Sequence, residues 1–141
     1  MDGTEQLAIV NARVWTGSPR RPWADAVLIR GASVALVGSS AEVRKQCTRS
    51  CHRIDARGML VVPHWKDTRP ELSDGALAKA VQLSLHGSVA EELNLLEAGA
   101  PADLVMFDRD ITRADPVDSG IARVVLVMVA GRVLLDRAGL L

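Results

Sequence analysis

The sequence has 141 residues, of which 48% are hydrophobic, and this predicts a globular domain with a core of its own rather than a disordered chain. Seventeen basic side chains balance seventeen acidic ones, so no overall charge attracts the chain to nucleic acid or to an anionic membrane. The start of the sequence lacks the basic and apolar regions of a secretory signal, and no apolar run approaches the roughly 18 residues of a membrane span. We therefore expect a cytoplasmic protein that binds neither nucleic acid nor membrane.

The first 40 residues predict strands separated by tight turns. Leu7 to Thr16 is expected to be extended, with a bulge or turn at Asn11, because asparagine tolerates left-handed backbone conformations. The apolar runs Ala26–Arg30 and Ser33–Val37 flank a short Gly-Ala turn. This arrangement is typical of a β-hairpin.

A short helix and two further strands are predicted next. Ser39 or Ser40 can cap a helix that ends at Gln46, since a serine hydroxyl accepts hydrogen bonds from the first turn. Arg53 to Asp55 and Met59 to Val62 then predict strands on either side of a glycine-containing turn.

The rest of the chain predicts a helical segment followed by three strands. The helical segment has one apolar stripe, interrupted at Gly87-Ser88, and so predicts one or two helices: Leu77, Val81, Leu85, Val89, Leu93 and Leu96. The strands are expected at Leu104–Phe107, Arg123–Val129 and Arg132–Asp136. Because the run from Val124 to Val129 does not alternate, this strand should be covered on both faces.

Taken together, these segments resemble the two sequence ends of proteins of the amidohydrolase (metal-dependent hydrolase) superfamily, and most of all its amidohydrolase-3 branch. The resemblance lies in seven stretches: Asn11-Ala12-Arg13-Val14-Trp15-Thr16-Gly17, Pro22-Trp23-Ala24-Asp25-Ala26, Val37-Gly38, Ile54 to Pro63 followed by Asp67-Thr68, Gly99-Ala100-Pro101-Ala102-Asp103-Leu104-Val105, Asp108-Arg109-Asp110 followed by Asp115-Pro116, and Val129-Ala130-Gly131-Arg132-Val133.

The resemblance implies a mainly β fold, the composite β-sandwich of the urease and amidohydrolase small-domain type, with one or two helices inserted between its halves. We expect a single composite domain over residues 1–141. Its N-terminal β half is 7–63, its crossover and helical segment 64–98, and its C-terminal β half 99–141. In such proteins a catalytic (β/α)8 barrel follows the first half, but a barrel takes roughly 250 residues and does not fit within this sequence.

The resemblance also places the expected metal ligands. A His-x-His pair binds the metal in these proteins, and here Arg69-Pro70-Glu71 stands in its place, with Arg69 at the first histidine and Glu71 at the second. A metal activates water only while its ligands hold an open coordination site. We therefore predict no catalytic, cofactor-binding or metal-binding residues, no cofactor, and no catalysis by the chain alone.

Cys47 and Cys51, with His52 directly after them, offer a different interpretation. Together with His64 they would form a small zinc-binding module, although structural zinc sites have characteristic paired spacings that this arrangement lacks. The alternative is two reduced thiols in a cytosolic protein. We expect free thiols.

The remaining polar candidates are interpreted as structural or as solvated surface. His64, Asp67 and Glu71 could be remnant ligands in a crossover loop, and His86 precedes Glu91 and Glu92 on the predicted helix. Asp103 is expected to accept backbone N–H bonds in a turn. An acidic loop with interleaved arginines consists of Asp108, Arg109, Asp110, Arg113, Asp115 and Asp118. A small basic patch, expected to be a solvated loop, consists of Arg13, Arg20 and Arg21.

Three functions follow from these observations. The first is a barrel-less amidohydrolase-like domain with a structural, assembly or binding role, which forms a homodimer through the face that a barrel would cover. The second is part of a metal-dependent hydrolase of C–N bonds whose barrel comes from another polypeptide. The third is the zinc-binding module.

Overall fold

The computed structural model describes residues 6–18, 20–47, 51–63, 95–109, 122–137 and 139. These residues form ten strands and one helix: β1 (Gln6–Val10), β2 (Arg13–Trp15), β3 (Trp23–Ala24), β4 (Ala26–Arg30), β5 (Ser33–Gly38), α1 (Ser40–Gln46), β6 (Cys51–Asp55), β7 (Leu60–Pro63), β8 (Leu104–Phe107), β9 (Val124–Val129) and β10 (Arg132–Asp136). The predicted mainly β class is confirmed. Of the helical segment predicted between residues 64 and 98, residues 64–94 lie outside the described residues. Residues 95–98 are described and are not helical, so the predicted helix does not extend to Leu96.

The strands form two mixed sheets. One sheet has the order β5-β4-β1-β6 and the other the order β10-β9-β8-β7-β2-β3. Ile9, Val27 and Ile54 of the first sheet pack in one cluster with Leu104, Met106 and Leu126 of the second. This shared core makes the fold a β-sandwich, as predicted.

Both sheets are also covered on their outer faces. Val43 of α1 packs against Ala8, Val10 and Leu28 on the outside of the four-stranded sheet. On the outside of the six-stranded sheet, Val105 and Phe107 belong to a second buried cluster. Side chains of β9 belong to both clusters of the six-stranded sheet, which confirms the prediction that its two faces are covered.

Strands from the two sequence halves pair within one sheet. β7 runs antiparallel to β8, with Val61 opposite Met106, Val62 opposite Val105 and Pro63 opposite Leu104. β2 lies on the other side of β7, parallel to it. The six-stranded sheet therefore contains β2, β3 and β7 from the first 63 residues and β8, β9 and β10 from the last 38.

The chain crosses between the sheets three times at one corner of the sandwich. The crossings lie at Asn11, at Asp25 and in the turn at Arg57. The φ of 55° at Asn11 confirms the predicted left-handed turn. The Ala12 N–H donates to the Asp25 carbonyl oxygen at 2.9 Å, and the Gly58 N–H donates to the Asn11 carbonyl oxygen at 2.8 Å. Hydrogen bonds between the crossing segments thus hold this corner together.

α1 begins with a reciprocal cap. The Ser39 hydroxyl accepts the Glu42 N–H at 3.1 Å, and the Glu42 carboxylate accepts the Ser39 N–H at 3.3 Å. This capping box satisfies donors that the first turn leaves without helical partners. The predicted cap and the predicted end at Gln46 are both confirmed.

Two hairpin turns meet at another edge of the sandwich. A Cβ atom at Gly131 would lie 2.0 Å from the Gly31 carbonyl oxygen, and Gly131 has a φ of 77°. Only glycine fits there, because both the close approach and the positive φ exclude a side chain. The turn of the β4–β5 hairpin and the turn of the β9–β10 hairpin therefore pack directly against each other.

Among the described residues, no helix is long and apolar enough to cross a membrane.

Candidate functional site

A surface cleft of about 210 Å³ lies at the corner where the chain crosses between the sheets. Its lining comes from β2, the approach to β3, the crossing at Asp25 and the start of α1: Ala12, Arg13, Arg21, Trp23, Ala24, Asp25, Gly38 and Ser39. We call this the corner cleft. Its lining includes two arginines, one tryptophan and one aspartate.

The strand pairing of β2 with β3 positions Arg13. The register sets Val14 opposite Ala24 and Trp15 opposite Trp23, so Arg13 and Trp15 point to the same face as Trp23. The Arg13 guanidinium carbon lies 4.1 Å from the centroid of the Trp23 ring. A cation over an indole face is attracted by the ring quadrupole, which orients Arg13 at the wall of the cleft.

The loop before β3 positions Arg21. The Thr16 hydroxyl donates to the Arg21 carbonyl oxygen, and the Thr16 N–H donates to the Pro22 carbonyl oxygen at 2.9 Å. The Arg21 side chain then reaches β5, where its Nη1 donates to the Val37 carbonyl oxygen at 3.1 Å. Arg21 is therefore fixed at both its backbone and its guanidinium.

The predicted basic patch is thus only partly a solvated loop. Arg20 is exposed in the loop as expected, but Arg13 lies on a strand, stacked on Trp23. The sequence did not indicate that Trp23 and Asp25 line the same cleft as the arginines. The available signal was the alternation of β2, which puts Arg13 and Trp15 on one face.

Of the acidic loop, the structure describes only Asp108 and Arg109. Both carboxylate oxygens of Asp108 accept hydrogen bonds from the Arg109 guanidinium, at 2.9 and 3.0 Å, and one also accepts the Arg123 N–H at 3.0 Å. These bonds, chiefly those from Arg109, hold the pKa of Asp108 below its usual value, although burial opposes the effect. Asp108 is therefore tied to the protein's own donors rather than presented to a cation.

Asp103 has the structural role that the sequence predicts. Its Oδ1 accepts the N–H of Ala130 at 2.6 Å. Ala130 has a φ of 50° in the turn between β9 and β10. The carboxylate thus holds a turn with a left-handed backbone, and it does so 27 residues away in sequence.

The expectation of free thiols is wrong. Cys47 and Cys51 form a disulfide, with their Cα atoms 5.3 Å apart. α1 ends at Gln46 and β6 begins at Cys51, so the return of the chain toward the sheet brings the two residues within the distance that a disulfide spans. Sulfurs joined in a disulfide are not thiolate ligands, and this removes two ligands from the zinc interpretation.

The other predicted candidates lie outside the described residues. They are His64, Asp67, Arg69, Glu71, His86, Glu91, Glu92, Asp110, Arg113, Asp115 and Asp118. Within the described ranges, no three residues of the types His, Cys, Asp and Glu are grouped so that they could hold a metal ion.

Comparison with known proteins finds partial relatives. No family model matches the chain. Over 78 residues, 55% of this chain, it is 37% identical to an N-substituted formamide deformylase of Arthrobacter pascens, and the match covers 14% of that protein. The chain thus spans a small part of its curated relative.

Solved structures give matches of similar extent. An uncharacterized metal-dependent hydrolase of Pyrococcus furiosus matches with a TM-score of 0.41 and 22% identity, over 57% of this chain and 16% of that one. Enamidase, a member of the amidohydrolase superfamily, matches with a TM-score of 0.36 and 21% identity, over 55% of this chain and 23% of that one.

Proposed function

We propose that this chain, part of which is related to the amidohydrolase superfamily, supplies the composite β-sandwich of such a protein and is not catalytic by itself. Its role in this proposal is structural, in assembly or in binding. The division into an N-terminal half 7–63, a connecting segment 64–98 and a C-terminal half 99–141 is part of the same proposal.

The pairing of β7 with β8 is the observation that carries the proposal. The chain leaves the six-stranded sheet at Pro63 and re-enters it at Leu104, directly opposite in the register. Because the two ends of the intervening segment are neighbours, segments of very different length can connect them without disturbing the sheet. A sandwich of this kind suits a large inserted domain and also a short connection.

The absence of catalysis is inferred from the sequence. Arg69 and Glu71 stand where relatives of this kind have the His-x-His pair. A guanidinium cannot ligate a metal ion, and its fixed positive charge opposes a cation at that position. The proposal therefore gives the chain no hydrolytic centre of its own.

Activity and metal content test the proposal together. We expect protein purified without chelator to contain no stoichiometric zinc and to hydrolyse no N-substituted formamide, with or without added Zn²⁺. Cooperative unfolding of the same sample shows that the protein assayed was folded. Zinc-dependent turnover by the folded chain would refute the proposal. Turnover that appears only with a co-purifying barrel-sized protein would support the alternative of a barrel supplied in trans.

Association with a second copy is a separate proposal. Among the described residues, the exposed large hydrophobic side chains are Val133 and Leu134, at 38% and 65% exposure on the edge strand β10. The sequence predicts the homodimer contact on the face that a barrel would cover; these exposed side chains lead us to propose the β10 edge in its place. Light scattering should detect a dimer at high protein concentration and a monomer after Leu134→Lys, whereas a wild-type chain that is monomeric throughout would refute the contact.

The disulfide also bears on the cellular compartment of the chain. Disulfides persist in oxidising compartments and are rare in the cytosol, so the Cys47–Cys51 bond weighs against the cytoplasmic location predicted from the sequence. Trapping the thiols with an alkylating agent at the moment of cell lysis tests this. Alkylated Cys47 and Cys51 would support the cytoplasm, and protected cysteines an oxidising compartment.

A further inference from the structure

We propose that the corner cleft is a binding site for a small carboxylate, with Arg13 and Arg21 as its anion-binding residues. This inference stands apart from the proposed function, because it depends only on the described lining of the cleft. Neither the partial relationship nor the missing histidine pair enters it.

The volume of the cleft limits the ligand. The cleft has a volume of about 210 Å³. This is below the roughly 300 Å³ at which pockets for drug-sized ligands begin. A carboxylate with a short organic group fits this space, and a nucleotide or a folded peptide does not.

The two arginines are held in place before any ligand binds. Arg13 is stacked on Trp23, with 4.1 Å between the guanidinium carbon and the ring centroid. Arg21 donates one of its N–H groups to the Val37 carbonyl oxygen. Fixing donors in advance lowers the entropy that binding must overcome, and the planar guanidinium matches the two oxygens of a carboxylate.

The charges of the lining favour a single negative charge on the ligand. Arg13 and Arg21 contribute two positive charges, and Asp25 contributes one negative charge. A monoanion balances the remaining positive charge, whereas a phosphate dianion would exceed it and be opposed by the negative charge of Asp25.

Acetate is the probe that tests this inference, with acetamide as its neutral isostere. We expect acetate to shift the NMR signal of the Trp23 indole N–H in a saturable way, with a dissociation constant on the order of millimolar, as befits a four-heavy-atom ligand. The signal is assigned with Trp23→Phe. Acetamide at the same concentration should leave it unchanged, because it carries no charge.

Three substitutions make the test specific. Arg21→Gln should weaken acetate binding about tenfold, as expected for the loss of a charge-assisted hydrogen bond of roughly 1.5 kcal/mol. Asp25→Asn should strengthen binding, because it removes the negative charge in the lining. Arg20→Gln is the matched control, since it removes the neighbouring exposed guanidinium, and it should bind acetate as the wild type does.

The outcomes separate clearly. If Arg20→Gln weakens binding as much as Arg21→Gln, the effect is general electrostatics and the site is refuted. Equal shifts with acetate and acetamide, or no saturable shift in the wild type, also refute it. Should Arg21→Gln fail to fold, the Asp25→Asn comparison alone decides, because unchanged or weaker binding there contradicts the charge arrangement.

Discussion

Asp108 shows how one carboxylate links two strands. The backbone N–H of Asp108 donates to the Arg123 carbonyl oxygen at 2.8 Å. The Asp108 side chain accepts the Arg123 N–H and forms an ion pair with Arg109. The carboxylate therefore closes the sheet just beyond β8, at the residue that precedes β9. All three side-chain bonds are made best by the ionised form.

The pH dependence of stability follows from this arrangement. Since the pKa of Asp108 is lowered in the folded protein from its ordinary value of 3.8, its stabilising contribution is complete above that value and is lost as the pH falls through the folded pKa. We expect Asp108→Asn to reduce the free energy of unfolding by more at pH 7 than at pH 2. Urea denaturation at the two pH values measures the difference.

Arg109→Gln is the companion variant for this prediction. It removes the largest cause of the lowered pKa, so it should reduce the acid sensitivity in the same direction. A stability difference between wild type and Asp108→Asn that is the same at both pH values would contradict the assignment.

Local signals made several residues predictable from the sequence. Asn11 and Ser39 act on a turn or helix end at their own place in the sequence. Asp103 reaches a turn 27 residues away, but accepting a backbone N–H is typical of its side chain. The corner cleft was not predictable in this way. Arg13, Trp23 and Gly38 come together only because the chain crosses between two sheets, and no residue pattern specifies that crossing.

At the scale of the elements, α1 is fixed at both ends. The capping box holds its first turn, and the Cys47–Cys51 disulfide joins the residue after its last turn to the first residue of β6. Both cysteines also pack beside the cluster of Ala8, Val10 and Leu28. The helix is thereby held against the outer face of the four-stranded sheet.

Reduction should loosen this attachment. A disulfide that closes a loop of about five residues is worth about 2 kcal/mol in the chain-entropy account. The free energy of unfolding of reduced protein should be lower by about that amount, and its urea midpoint should be lower. Unfolded but unreduced protein should show no reactive thiol, and reduced protein two. The double variant Cys47→Ser/Cys51→Ser is the control and should not respond to reductant. Two reactive thiols before reduction would contradict the disulfide.

Most strands were predictable, but their order was not. Runs such as Ala26–Arg30 and Leu104–Phe107 are apolar enough to identify buried strands, and the Gly31 and Gly131 turns identify the hairpins. Pairing between distant strands depends on long-range packing instead. The parallel pairs β1–β6 and β2–β7 have no local signal, because a crossover rather than a turn connects such strands.

At the scale of the whole molecule, the six-stranded sheet has no open face over its centre. Leu104 and Met106 point into the space between the sheets, while Val105 and Phe107 belong to the outer cluster. Every residue of β8 is buried. Because both faces of this strand are buried, truncating a side chain on either face should lower the free energy of unfolding.

Phe107→Ala tests whether the outer face is packed. Phe107 is fully buried, and removal of such a ring costs about 3–5 kcal/mol of unfolding free energy. Leu134→Ala is the control on the same sheet, since that side chain is 65% exposed, and it should change stability by less than about 0.5 kcal/mol. Both are measured by urea denaturation at low protein concentration, where association does not contribute. A loss below about 1 kcal/mol for Phe107→Ala would mean that the outer face is open.

The central claim is that strands from both ends of the chain form one sheet. Cross-strand proton contacts by NMR test it most directly. The register predicts contacts between Val61 and Met106 and between Val62 and Val105. The absence of these contacts in a folded sample, with Leu60–Pro63 in contact only with strands of the first half, would contradict the composite sandwich.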